Sequence, residues 1–285
     1  MEKKISRIYR KSYKEISRDW NKFMDSHAPK LIRVHEDLQL ALRSGNRDEI
    51  ATARKIYEHT AMNITVNNQR YQAMVDETAA KISHINEVAV DYVNGNMPKI
   101  YTVNYNQFGS EQISGYSFSL VNEHAVKELA TKDKALLPKK KINVPKDIKW
   151  NEKKINSQMM QGILQGESIP KMAKRLQSVV DMNKVSSIRN ARTMTTSAEN
   201  KGRQDSYQKA TEDGVILERE WVATLDERTR AAHAELNGSR VNVDEAFDSE
   251  YGPIMYPGDP NADPANVYNC RCSIRAHVKG FKRNE

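Results

Sequence analysis

The residues of this chain best suited to chemistry are two cysteines and one histidine. Cys270 and Cys272 are separated by one residue, so on a strand they point to the same face. Two thiolates that face one way can bind a borderline-soft metal, and His233 is the best third ligand. Asp226 lies seven residues earlier on the same helical face, and the fourth position is left for Asp226, water or no ligand. This set predicts a metal site that would hold zinc; the alternative is two small buried side chains beside a helix-face histidine.

A second interpretation of this region is a metal-dependent nuclease or hydrolase that uses Asp226, Glu227 and His233 as acid and base groups. Asp226 is equally suited to cap a helix, and Glu227 to occupy its first turn, so the structural interpretation is favoured. His277 is a poor ligand candidate, because strand alternation places it opposite the cysteines. The chain has no P-loop, Gly-x-Ser-x-Gly or His-Glu-x-x-His motif, and we predict no catalytic residue.

Composition excludes several classes of protein. The 285 residues include no apolar run of about 18, which argues against a membrane protein. Only two cysteines are present, which excludes a disulfide-rich secreted fold. The first residues are charged and not followed by an apolar stretch, so we expect no signal peptide and a cytosolic site of synthesis.

Charge is distributed unevenly along the chain. The net charge is +8, but residues 131–203 carry 17 basic and 6 acidic side chains, whereas residues 212–268 carry 4 and 13. A basic block of this kind is typical of polyanion contact, and it also fits a solvated helical surface. The residues predicted to contact DNA phosphates without sequence specificity are Lys139, Lys140, Lys141, Arg189, Arg192, Lys201 and Arg203.

The N-terminal part has the periodicity of helices. Gly45 and Asn46 predict the end of one helix and the start of another. An apolar stripe over residues 46–94 predicts either one helix of about 70 Å or two shorter ones with a break near Asn67 and Asn68. Residues 94–98 predict a helix end, because Pro98 disfavours helix at the position before it.

Beyond Pro98 the pattern changes. Alternation over residues 100–105 and 116–120 predicts an extended, hairpin-like excursion, followed by a short helix at 122–130 capped by Asn122. We therefore divide the chain into a helical region at 1–135, a basic linker at 136–149 and a second domain at 150–285.

The second domain is predicted to begin with helices and to end with short mixed elements. Helices are expected at 150–165, after Ser168 and at 184–210. The remainder predicts a strand at 221–225, a helix at 227–236, a strand near Val241, a long loop at 251–269 and a strand at 270–278. The fold class predicted is α+β: mainly helical, with an elongated N-terminal helical region and a small mixed α/β C-terminal domain.

The order of several motifs in the C-terminal half resembles the phage Mu F-like minor head, or head morphogenesis, proteins of tailed bacteriophages. The first motifs are Arg192-Thr193-Met194-Thr195 and Asn200-Lys201-Gly202-Arg203. The residues that match the pattern further on are Asp226, Arg228, Thr229, Arg230, His233, Gly238, Pro257, Gly258, Asp259, Cys270 and Cys272.

The resemblance implies a virion component located inside the capsid and assembled in the host cytoplasm, and it implies no enzymatic activity. It implies association with the portal protein and with the major capsid or scaffolding protein. It also implies non-specific contact with the phage double-stranded DNA and a role in DNA packaging or ejection. No membrane partner is expected.

Overall fold

The computed structural model describes residues 1–27, 29–65, 68–111 and 120–282. Its helices are α1 (Glu2–His27), α2 (Pro29–Ser44), α3 (Arg47–Thr65), α4 (Gln69–Glu111), α5 (Glu123–Lys132), α6 (Val144–Leu164), α7 (Ile169–Glu212), α8 (Ala231–Glu235) and α9 (Pro264–Val267). Its strands are β1 (Val215–Val222), β2 (Arg240–Asn242), β3 (Phe247–Ser249), β4 (Gly252–Ile254) and β5 (Ser273–Phe281). The predicted class, a mainly helical α+β fold, is confirmed.

The chain forms two compact units, and both combine segments that are distant in sequence. The first unit consists of residues 1–2, 90–140 and 188–285, and the second consists of residues 3–89 and 141–187. Each unit therefore contains segments from before and after the predicted linker at 136–149. We refer to them as the sheet unit and the helical unit, respectively.

Side-chain caps separate the helices of the helical unit. The side-chain oxygen of Asn46 accepts hydrogen bonds from the backbone N–H groups of Asp48 and Glu49, while its amide donates to the Glu49 carboxylate. This reciprocal arrangement caps the start of α3; it differs from a capping box in that Glu49 accepts from the side-chain amide of Asn46 and not from its backbone N–H. Asn68 accepts a hydrogen bond from the Arg70 backbone N–H at the start of α4. Of the two predicted alternatives, two helices with a break near Asn68 is the correct one.

The core of the helical unit contains a buried polar network among its apolar residues. The Tyr9 hydroxyl donates to the Asn86 side chain, and Asn86 in turn donates to Asn183 over 2.7 Å and to Asp147 over 2.9 Å. Asn183 also donates to Asn151 over 2.8 Å. Because nearly every polar atom in such a network has a partner, it can fix one arrangement of the four contributing helices.

The predicted helix end at residues 94–98 is wrong, because α4 continues through Pro98 to Glu111. The extended segment predicted at 100–105 is therefore helical. Val93, Met97 and Tyr101 are all buried at helical spacing, and this packing outweighs the hydrogen bond that proline cannot donate. Residues 116–119 of the predicted hairpin lie outside the described residues.

The helices that follow differ from the predictions mainly in their boundaries. Asn122 caps α5 as predicted, with its side chain accepting from the Ala125 backbone N–H over 2.8 Å. Helix α6 begins at Val144, inside the predicted linker, with Pro145 in its first turn. Helix α7 begins directly after Ser168 and runs unbroken for 44 residues, so the segments predicted there are one helix.

The sheet unit contains a three-stranded antiparallel sheet in the order β2-β1-β5 and a small β3-β4 hairpin. Strand β1 begins six residues before the predicted strand, and it pairs Trp221 with Ile274. The side chains of Trp221, Phe247, Ile254 and Ile274 form its buried core. The loop predicted at 251–269 contains β4 and the short helix α9.

None of the helices described here combines the length and apolar character needed to cross a bilayer.

Two glycines in the long helices of the sheet unit provide a matched test of packing. A Cβ atom on Gly202 would lie 2.6 Å from the Tyr101 carbonyl oxygen and 3.2 Å from the Tyr105 nitrogen. These are backbone atoms of α4, so Gly202 permits the close approach of α4 and α7 within this unit.

We expect Gly202→Ala to lower the free energy of unfolding by about 1–3 kcal/mol, because neither backbone can move aside freely. The control is Gly95→Ala on α4, where a Cβ would meet nothing within 4 Å. That change should raise stability by about 0.5–1 kcal/mol through helix propensity. Urea unfolding of both variants measures the difference, and equal stabilities would contradict the proposed contact.

Candidate functional site

His233, Cys270 and Cys272 come together in the sheet unit, as the sequence predicts. The His233 Nδ1 atom lies 3.5 Å from the Cys270 Sγ atom and 3.6 Å from the Cys272 Sγ atom. All three residues are buried, with exposed fractions of 1%, 2% and 5%. Their potential ligand atoms lie within 4.8 Å of one another, and both cysteines are free thiols.

The cysteines reach the histidine through a turn, whereas the sequence predicted a strand. Strand β5 begins at Ser273, after both cysteines. Asn269, which precedes them, adopts a left-handed backbone conformation with φ of 60°. The Cys270 N–H donates back to the Val267 carbonyl over 3.4 Å. Both thiols therefore converge on His233 because the chain turns there.

A backbone N–H group also points at one of the two sulfur atoms. The Cys272 N–H donates to the Cys270 Sγ atom over 3.4 Å. The thiol hydrogen bond from Cys270 and the neighbouring His233 lower the pKa of the Cys272 thiol well below its usual range. The same pairing, together with burial, raises the pKa of Cys270. Of the two thiols, Cys272 is therefore the more acidic.

Aromatic rings close the cluster on another side. The Trp221 and His233 rings meet edge-on, with centroids 5.3 Å apart, and Trp221 meets Phe247 in the same way. Among the described residues, the buried His233 Nε2 atom has no hydrogen-bond partner. The polar contacts of the imidazole are therefore concentrated at Nδ1, which faces the sulfurs.

Asp226 is not a member of this cluster, so the structure does not bring the predicted fourth ligand together with the other three. Its two carboxylate oxygens form a bidentate ion pair with the Arg271 guanidinium, with N–O distances of 2.5 and 2.6 Å. That pairing holds the pKa of Asp226 well below its usual range. The helix predicted at 227–236 is also wrong in extent, because residues 226–230 form a turn and α8 begins at Ala231.

The nuclease arrangement is likewise not assembled. Glu227 is exposed and His233 is buried, and among the described residues neither Asp226 nor Glu227 joins the group around the imidazole. His277 lies away from the cysteines as predicted, with its Nε2 atom 2.5 Å from the Glu220 carboxylate.

One face of α7 binds the backbone of the cysteine segment. The Thr196 hydroxyl donates to the Cys270 carbonyl over 2.8 Å, and the Thr193 hydroxyl accepts from the Asn269 N–H over 2.8 Å. Asn200 is fully buried; its amide donates to the carbonyls of Pro257 and Cys272, and its oxygen accepts from the Ile274 N–H. Spacings of three and four residues place these side chains on one helical face.

Three of the residues predicted to bind DNA are occupied by contacts within the sheet unit. Arg192 donates to Glu2 and to the Asn269 side chain. Arg203 donates to the Asn104 side chain, the Ser273 hydroxyl and the Ile274 carbonyl. Lys201 forms an ion pair with Asp205 at 2.6 Å. Lys139, Lys140, Lys141 and Arg189 are exposed, and a role for these four in binding DNA stays a prediction.

Arg219, which the sequence analysis did not single out, is a buried cation at the centre of the sheet unit. It has no exposed surface and donates to the Gln204 side chain and to the carbonyls of Asn242, Glu245 and Met255. Burial lowers its pKa to about 10, so the guanidinium stays charged at neutral pH. The sequence did not indicate that this arginine is buried, because arginine is common at exposed positions of strands.

Backbone conformation and close packing explain why the Pro257-Gly258-Asp259 motif has glycine at its centre. The φ of Gly258 is +83°, and a Cβ atom there would lie 2.8 Å from the Ser197 nitrogen on α7. Asp259 then accepts hydrogen bonds from the backbone N–H groups of Met255 and Asn261. The motif thus allows the loop to approach α7 closely while remaining hydrogen-bonded.

Asn200→Ala should strongly destabilise the sheet unit. It removes the hydrogen bonds to Pro257, Cys272 and Ile274 and leaves buried backbone groups without partners, which costs roughly 3 kcal/mol of unfolding free energy. Asn190→Ala, at a half-buried position of the same helix, should change stability by less than about 1 kcal/mol. Urea unfolding distinguishes the two, and similar losses would show that Asn200 has no special role.

Comparison with known proteins agrees with the motifs. Residues 153–275 match the family described as Phage Mu protein F like protein. Minor head protein GP7 of Bacillus phage SPP1 is 32% identical over 121 residues, covering 42% of this chain and 39% of that protein. NAD(+)--arginine ADP-ribosyltransferase EFV of Enterococcus faecalis is 30% identical over 131 residues, covering 45% of this chain and 26% of that protein.

The matched stretches thus span well under half of either relative, and no solved structure matches the chain. The family match covers α7, the site and the first three residues of β5. Within the matched region, Thr193 and Asn200 of the two α7 motifs form hydrogen bonds to the backbone of Asn269 and Cys272. The resemblance predicted from those motifs is confirmed for residues 153–275, which are similar to the phage Mu F-like minor head proteins.

Proposed function

We propose that the protein acts in head morphogenesis as a minor component of the phage head, without enzymatic activity. In this proposal it assembles in the host cytoplasm and is located inside the capsid of the virion. It associates with the portal protein and with the major capsid or scaffolding protein. It also contacts double-stranded DNA without sequence specificity, in support of packaging or ejection. The family and the relative named as a minor head protein support this role.

The observation that carries the DNA contact is a basic face on α1. At 100° per residue, its basic side chains fall within an arc of about 120°. The opposite side of the helix carries Ile5, Tyr9, Ile16 and Trp20, all buried in the helical unit. The basic face consists of Lys3, Lys4, Arg7, Arg10, Lys11, Lys14, Arg18 and Lys22, and all of them are exposed.

These cations are available for a partner. Among the described residues, the ion pair found on the basic face joins Arg18 to Asp19, with a long separation of 3.9 Å. From Lys3 to Lys22 the face is about 28 Å long, which matches several phosphate spacings along a duplex. It carries no base-reading motif, so binding would depend on phosphate neutralisation and counterion release.

A second surface of the helical unit suits a protein partner. A groove between α2 and α3 is lined by apolar groups that include Leu40 and Ile56, with exposed fractions of 62% and 50%. Large apolar side chains exposed side by side are typical of protein interfaces. We propose that this groove contacts the portal protein.

The site does not favour the alternative of a nuclease. Its histidine is enclosed by two thiols and a tryptophan, and Asp226 is held by Arg271. The relative named as an ADP-ribosyltransferase is matched over about a quarter of its length, and we propose no transferase activity from it.

Neutralising the basic face should weaken DNA binding and its dependence on salt. The variant Arg7→Gln/Arg10→Gln/Lys14→Gln removes three phosphate contacts, so the slope of log K against log salt should fall by about 2 to 3. Fluorescence anisotropy with a labelled duplex at several salt concentrations measures this slope.

The matched control is Arg43→Gln/Arg54→Gln/Lys55→Gln, which removes the same charge from exposed positions of α2 and α3 in the same unit. It should leave the slope close to that of the wild-type chain. An equal fall in both variants would mean that net charge, and not the basic face, governs binding.

Portal association is tested by co-purification of the full chain with its portal protein. Leu40→Ser/Ile56→Ser should reduce the amount recovered at least about fivefold, because each change removes apolar area from the contact. The control Leu129→Ser changes a leucine of α5 that is 52% exposed in the other unit. Undiminished recovery of the double variant would exclude the groove as the portal contact.

A further inference from the structure

We propose that His233, Cys270 and Cys272 bind one zinc ion, which stabilises the sheet unit. This inference goes beyond the proposed function and does not depend on it. The imidazole Nδ1 atom and two thiolates would supply three ligands. On binding, each cysteine thiol loses its proton to solvent, and no oxidation or reduction takes place.

The observed distances fit the edges of a zinc tetrahedron. With Zn–S of about 2.3 Å and Zn–N of about 2.0–2.1 Å, a tetrahedral angle separates nitrogen from sulfur by about 3.5–3.6 Å. The two measured Nδ1–Sγ distances are 3.5 and 3.6 Å. Both nitrogen–sulfur edges of the ligand triangle therefore have the length that zinc requires, and all three ligand atoms lie within 4.8 Å of one another.

Hydrogen bonding alone accounts less well for this arrangement. The unprotonated Nδ1 atom of an imidazole has one lone pair and accepts one hydrogen, yet both sulfurs lie at nearly equal distance from it. The Cys270 sulfur also receives the backbone N–H of Cys272 over 3.4 Å. A donor of this kind stabilises a thiolate, and it is an outer partner of the type found around metal ligands.

Charge balance also favours a metal at this depth. Zn²⁺ with two thiolates and a neutral imidazole has no net charge, so the loaded site can be buried at lower cost than a lone thiolate. A set of sulfur and imidazole ligands suits zinc better than magnesium or calcium, which prefer oxygen.

The ion would connect parts of the unit that are otherwise joined by few groups. His233 lies on α8, a helix of five residues, while the cysteines lie in the turn before β5. The cysteine segment is already bound to α7 through Thr196 and Asn200. Zinc would therefore fix α8 to that segment, and its fourth ligand would come from water.

The test is elemental analysis of the full chain purified under reducing conditions from zinc-supplemented medium. The wild-type chain should contain about one zinc per molecule, and Cys272→Ser and His233→Asn should contain at least tenfold less. The control is His124→Gln on α5 in the same unit, where the side chain is 82% exposed. It should retain the wild-type zinc content.

Because the ligand variants can fail to fold, a second measurement uses the wild-type chain alone. After removal of zinc by a chelator, addition of Co²⁺ should give thiolate-to-cobalt charge-transfer absorption, and Zn²⁺ should abolish it. A folded, reduced wild-type chain that takes up neither metal would overturn the proposal. So would ligand variants that keep the zinc content of the wild-type chain.

Discussion

The sheet unit depends on how the backbone between Asn269 and Ile274 is hydrogen-bonded. Residues 269–272 precede β5, which begins at Ser273, so the sheet pairs only the end of this segment. Helix α7 supplies the remaining partners through Thr193, Thr196 and Asn200. An unpaired buried backbone group costs about as much as a lost hydrogen bond, so these side chains determine where the cysteines can lie. The position of both sulfurs relative to His233 follows from that attachment.

The same helix is also the surface against which the rest of the unit packs. Gly202 admits the backbone of α4, and Gly258 brings the loop before α9 onto Ser197. Gln204 donates to the Val243 carbonyl and accepts from Arg219, which joins β1 to the loops around it. A single helix thus holds four segments by polar and steric means, whereas apolar packing is concentrated around Trp221 and Phe247. Because α7 makes polar and close backbone contacts while apolar packing lies elsewhere, the motifs on α7 consist mostly of polar residues and glycine.

Local signals predicted the elements whose ends are set by nearby side chains. The starts of α3 and α5 follow from Asn46 and Asn122, which act within three residues of their own position. Pro98 misled the prediction because its effect was outweighed by burial of Val93, Met97 and Tyr101, which depends on distant segments. The convergence of His233 with the cysteines was predictable from residue type, but the roles of Arg192 and Arg203 were not. Their positive charge suggested DNA, and only the fold shows the carbonyl and side-chain oxygens that they contact.

The interleaving of the two units has a consequence for how the chain can be divided. The exposed lysines at 139–141 look like a place where a protease could separate two domains. A cut between Lys140 and Lys141 would leave residues 3–89 with one fragment and residues 141–187 with the other, although both belong to the helical unit. The sheet unit would be split in the same way, between residues 90–140 and 188–285. The two fragments would be complementary halves of both units, so neither would be an independent domain.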